Sequence, residues 1–87
     1  MVLKTVEHLS NTEDRVIEKI AYELNIPVAL LNPYTDFIDD LYLDAIDRSL
    51  LIAKLERDFS VILSKEEVAR IQTVRDTSQL IHLHAAS

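Results

Sequence analysis

With 87 residues, 48% of them apolar, and a net charge of −6, the chain has the size of one small domain and enough apolar material for a core. The acidity argues against nucleic acid, which needs a basic footprint, and the lack of cysteine excludes disulfides and thiolate metal sites. No apolar run reaches the roughly 20 residues of a membrane span, so a cytoplasmic protein with no membrane partner is expected.

The chain also lacks glycine and has only two prolines. All-β folds and phosphate-cradling loops generally need glycine at positive φ, so helices joined by Asn-, Asp- and Pro-based turns are expected. Residues 1–10 read as a weakly patterned lead-in, in which Leu3, Val6 and Leu9 form either one or two helical turns or a mobile terminus. A first helix is predicted over 12–24, capped by Asn11 or Thr12, with Glu13 and Asp14 at the positive end of its dipole. Val16, Ile17, Ile20, Ala21 and Leu24 follow the helical period, and Asn25 and Pro27 end it. Residues 26–43 read as a long ordered loop that tucks Leu30, Leu31, Phe37, Ile38 and Leu41 under the helices.

A second helix is predicted from the N-cap Asp44 to about Asp58. It carries two apolar stripes. Leu51, Leu55 and Phe59 form one, with Ile52 beside them; Ile46, Leu50 and Ala53 form the other. One stripe faces the core, and the other is either core too or a partner surface. A short helix over 65–71 starts at Ser64, with Glu67 completing a capping box. A fourth, over 74–84, starts at Thr73 with Asp76 at its third position and turns Val74, Leu80, Ile81 and Leu83 inward. Residues 85–87 read as a tail. The expected fold is all-α: a single-domain bundle of three longer helices and one short one, with a long first loop.

No grouping of serine, histidine and acid suggests catalysis, so an enzyme is not expected. The acids at 36–44 lack calcium-loop spacing, and His82 and His84 are too few for a metal site. Tyr22, Tyr34 and Tyr42 read as amphipathic packing residues.

The segment 36–59 begins Asp-Phe-Ile-Asp-Asp-Leu-Tyr-Leu-Asp-Ala-Ile-Asp and closes on Leu55-Glu56 and Phe59. It resembles the centre of the acyl carrier proteins, whose pattern is an acid, Leu, Gly, any residue, Asp, Ser, and Leu or Ile, followed by a helix. The flanks, Thr12 to Ile26 and Ser64 to Ile81, resemble the family's other helices. The resemblance implies a small four-helix bundle whose serine receives 4′-phosphopantetheine from coenzyme A and carries acyl thioesters. It also implies a monomer whose partners are a phosphopantetheinyl transferase and a ketosynthase, acyltransferase or ligase.

Two positions depart from the pattern. Ala45 falls where the serine is expected, and its methyl cannot form a phosphodiester, so no arm is expected on this chain. Tyr42 falls where glycine is usual. Ser49, one turn on, has lost the Asp-Ser context.

Five acids, Asp36, Asp39, Asp40, Asp44 and Asp47, lie within twelve residues with no base among them. The resemblance makes Asp39, Asp40, Asp44, Ile46, Asp47, Leu50 and Glu56 the expected docking residues; a solvated, helix-capping role is the alternative for the acids. Arg48, Lys54 and Arg57 interrupt that acidic face and point to a specialised partner. Three readings stay open: a fatty-acid or polyketide carrier in a form that cannot be loaded, a natural pseudo-carrier that serves as a structural or regulatory partner of an enzyme complex, and an acidic helical adaptor whose similarity is convergent.

Overall fold

The computed structural model describes the backbone over residues 3–85 and side chains over residues 11–85. The helices are α1 (Leu3–Leu24), α2 (Ala45–Phe59), α3 (Lys65–Arg70) and α4 (Val74–Ala85). A single 3-10 turn, Val28–Leu30, interrupts the first loop. The all-α four-helix architecture read from the sequence is the one observed.

The start of α1 is the boundary that differs most. α1 begins at Leu3 rather than near residue 12, so Asn11 and Thr12 are interior residues and not caps. Neither glycine nor proline interrupts residues 3–24. Polar residues that favour caps still continue a helix when nothing breaks it. Thr12 instead approaches α4, its Oγ1 lying 3.4 Å from His82 Nδ1. Leu3, Val6 and Leu9, read as one or two helical turns or a mobile terminus, fall within α1, and their side chains lie outside the described residues. At the other end, Ala85 belongs to α4, and the tail reading for the last two residues lies outside the described residues.

The core is the predicted apolar face of α1 (Val16, Ile17, Ile20, Ala21) against Leu51, Ile52 and Leu55 of α2 and Val74 and Ile81 of α4. The first loop adds Leu31 and Phe37, and the α2–α3 and α3–α4 connections add Val61, Leu63 and Ile71. Phe37 is fully buried and is the largest such side chain. α1 and α4 are also joined by Glu13, which was expected at a helix start. It is buried and receives bonds from Arg75 Nε at 2.9 Å and Nη2 at 3.1 Å. This fork-on-carboxylate geometry satisfies both charges where one is out of water.

Both long helices end in a left-handed residue without glycine. After α1, Asn25 has φ 57°, Ile26 N donates to Ala21 O and Asn25 N to Tyr22 O. After α2, Ser60 has φ 56°, Val61 N donates to Glu56 O and Ser60 N to Arg57 O. Both are Schellman closures. α3 and α4 start on reciprocal caps: Ser64 with Glu67, and Thr73 with Asp76.

α3 buries none of its own six residues. Polar ties hold it at both ends. Glu67 pairs with His84 of α4 at 2.9 Å. Arg48 of α2 donates from Nη1 to the carbonyls of Val68 (3.0 Å) and Ile71 (2.9 Å). A guanidinium at a helix C-terminus meets carbonyls that have no partner within the helix.

Candidate functional site

The amino-terminal end of α2 is built by the loop before it. An antiparallel bridge pairs Asp36 with Thr73, so that Phe37 N donates to Gln72 O and Val74 N to Thr35 O. Phe37 fills the core just after this bridge. The following residues wind into one turn: Asp40 N and Leu41 N donate to Asp36 O, Tyr42 N to Ile38 O, and Leu43 N to Phe37 O. Tyr42 closes the turn at φ 57°. The chain then enters α2 through Asp44, whose Oδ1 accepts from Asp47 N at 2.7 Å.

Ala45 is therefore the first helical residue, exposed and directly after the N-cap. Around it the acids divide into two groups. Asp36 Oδ1 accepts from Ile38 N and Asp39 N, Asp40 Oδ2 accepts from Asp36 N, and Asp44 caps the helix. These three shape the loop. The carboxylates of Asp39 and Asp47 have no hydrogen bond or ion pair among the described residues, and both are exposed.

The stripe whose placement was open lies outside the core. Ile46 is 70% exposed, Leu50 is 56% exposed, and Ala53 is exposed too. Tyr42, three residues before α2, is 85% exposed, and Ile38, expected inside, is also exposed. Leu30 and Leu83 likewise face out rather than in, as do Tyr22 and Tyr34. Tyr34 lies under the Arg75 guanidinium, 5.3 Å from carbon to ring centre, instead of packing into the core.

Two other expected features change. Glu56, read as a docking residue, is half-buried, and its Oε2 accepts from Leu63 N at 2.8 Å, so it holds the turn after α2. The basic interruptions of α2 are largely committed as well. Arg48 is tied to α3, and Lys54 is 3.0 Å from Glu23 of α1. The exposed face of α2 is thus more acidic and more apolar than its sequence indicates. No pattern in the sequence marked Arg48 as a tie, because its acceptors are carbonyls 20 and 23 residues away.

Among the described residues, no helix is long and apolar enough to cross a membrane.

The family model described as "Phosphopantetheine attachment site" matches residues 14–81. The chain is also 37% identical, over 68 residues, to the acyl carrier protein of Solidesulfovibrio magneticus (strain ATCC 700980 / DSM 13731 / RS-1); the match covers 78% of this chain and 87% of that protein.

The chain belongs to the acyl carrier protein family. This overturns the reading of a convergent adaptor, since the match spans the loop, α2, α3 and most of α4, together with most of the part of α1 whose side chains are described. Acyl carrier proteins are carriers rather than catalysts. A phosphopantetheinyl transferase installs their prosthetic arm, which they then present to acyl-processing enzymes.

Proposed function

We propose that Ala45 stands at the position where acyl carrier proteins bear 4′-phosphopantetheine, and that this chain is a carrier domain of fatty-acid or polyketide type that cannot be loaded. The observation that carries this reading is the geometry at the head of α2. Asp44 caps the helix, Asp47 follows in its first turn, and the residue between the cap and Ile46 is exposed but has only a methyl group. The arm is joined through a phosphodiester to a side-chain oxygen, and Ala45 has none, so the residues present do not fit the group. The Ser49 hydroxyl is exposed but lies a full turn down the helix.

What remains without an arm is a docking surface. Asp39, Asp40, Asp44 and Asp47 give it negative charge, and Ile46 and Leu50 give it apolar area. A complementary partner is basic around an apolar depression, as suits a cytoplasmic ketosynthase, acyltransferase or ligase. A second reading, a natural pseudo-carrier that serves as a structural or regulatory subunit of such a complex, is favoured by Tyr42. That residue, three before the alanine, holds a left-handed conformation with a bulky side chain. A single serine-to-alanine exchange leaves Tyr42 unexplained.

Intact mass spectrometry tests the site. The chain and its Ala45→Ser variant are each incubated with coenzyme A and a promiscuous phosphopantetheinyl transferase. One arm is expected on the variant and none on the chain itself. An arm on the unaltered chain refutes the assignment of Ala45.

A further inference from the structure

Tyr42 combines two unfavourable properties that are seldom kept together. Its φ of 57° lies in the left-handed region, where a Cβ crowds the following carbonyl. Its ring is also 85% exposed, so the strain is not offset by packing. Asn25 and Ser60, the other left-handed residues, are of the small polar kind that tolerates this region or contributes little bulk, and each closes a helix. At Tyr42 a small polar residue or glycine would make the same turn with less strain, because the turn's bonds are to backbone atoms.

Strain retained at an exposed aromatic points to a role outside the folded chain. The surroundings indicate which role. Tyr42 lies four residues before Ile46 and eight before Leu50, both exposed. A groove lined by Leu24, Leu43, Leu51 and Lys54 runs beside Leu50. Exposed Asp39 and Asp47, with carboxylates unengaged among the described residues, belong to the same segment, and Asp47 also lines the groove. Interfaces concentrate their binding energy in such a pattern: an aromatic anchor amid apolar contacts, with charges at the rim.

We propose that Tyr42 is the anchor of the docking surface, inserting its ring into an apolar pocket of a carrier-processing enzyme whose rim carries lysine or arginine opposite Asp39 and Asp47. This rests on the docking reading above. It assigns partner affinity to the protein surface rather than to an arm, with Ile46 and Leu50 completing the contact.

The test sets stability against binding. The ketosynthase, acyltransferase and ligase encoded in the same genome are each titrated into the labelled chain, and amide shifts and Kd are read by NMR and calorimetry. Binding to at least one enzyme is expected, with shifts centred on residues 38–50. Tyr42→Gly should melt about 4 °C higher, because the left-handed strain is relieved. It should nevertheless bind about 30-fold more weakly, the scale of losing an aromatic hot spot. Tyr42→Asn, which tolerates the same φ, should lose affinity similarly; Tyr42→Phe should keep most of it; and Tyr22→Ala, on the exposed face of α1, should change nothing. Binding that Tyr42→Gly leaves intact, or shifts centred away from α2, overturns the anchor while leaving the docking reading standing. Binding by none of the enzymes overturns both.

Discussion

Replacing Arg48 with methionine probes how α3 is held. The substitution keeps an unbranched, flexible side chain of similar reach and removes the guanidinium. Two hydrogen bonds from a charged donor, to Val68 O and Ile71 O, are lost. Hydrogen bonds to charged groups contribute about 1.5–3 kcal/mol each when well buried. Here Arg48 is only half-buried, both bonds share one nitrogen, and the freed carbonyls at the end of α3 can reach water. Arg48 Nε is buried without a partner, and removing it returns about 1 kcal/mol. The net loss is about 1–2 kcal/mol.

That loss should appear locally before it appears globally. α3 has six residues, buries none of them, and is too short to persist alone. The readout is native-state hydrogen exchange at the amides of Val68 and Ile71, which donate to Ser64 O and Val68 O. Their protection should fall about tenfold, the equivalent of 1.4 kcal/mol, while amides in α1 and α2 change far less. If protection at Val68 and Ile71 is unchanged in Arg48→Met, Arg48 does not hold α3 and the reasoning fails.

Two further outcomes follow from the same contacts. Phe37→Ala empties the largest fully buried side chain and should cost about 4 kcal/mol in urea unfolding, detaching the first loop from the α3–α4 connection. Glu67 titrates below the ordinary glutamate range, first because Ser64 N donates to it and then because His84 bonds to it. A carboxylate whose pKa is lowered by folding stabilises fully above its unfolded value, and that contribution disappears as pH falls through the folded value. Glu67→Gln should therefore melt below the parent at neutral pH and converge with it in acid; a gap that persists unchanged into strong acid contradicts the assignment.

Local chemistry was legible where the chain repeats its own signals. Asp44, the Ser64–Glu67 pair and the Thr73–Asp76 pair are caps because cap and partner are three residues apart, and they appear as such. Val16, Ile20, Leu51 and Leu55 are core because their spacing permits one inward face. Long-range pairing carried no such signal. Glu13 meets Arg75 62 residues away, and at a helix start its charge has a sufficient local explanation that hides the distant one. Exposure was misread for Leu30, Ile38, Leu83 and the tyrosines, because apolar character says which residues favour burial and not whether the bundle has room for them. At the site, the position of Ala45 after a cap was readable, while the engagement of Arg48 and Glu56 depended on which carbonyls and amides the fold brings near.

A chain without glycine makes its reversals at Asn25, Tyr42 and Ser60 with residues that have a Cβ. Each narrows the ensemble from which the chain must fold, by about 0.4–1 kcal/mol per position, but that gain is set against the strain of a Cβ at positive φ and at Tyr42 is outweighed by it. The denatured protein is correspondingly poor in conformations. Where φ is negative the absence of glycine carries no such strain, and there the few alternatives open to the unfolded chain favour the fold without any contact of the native structure.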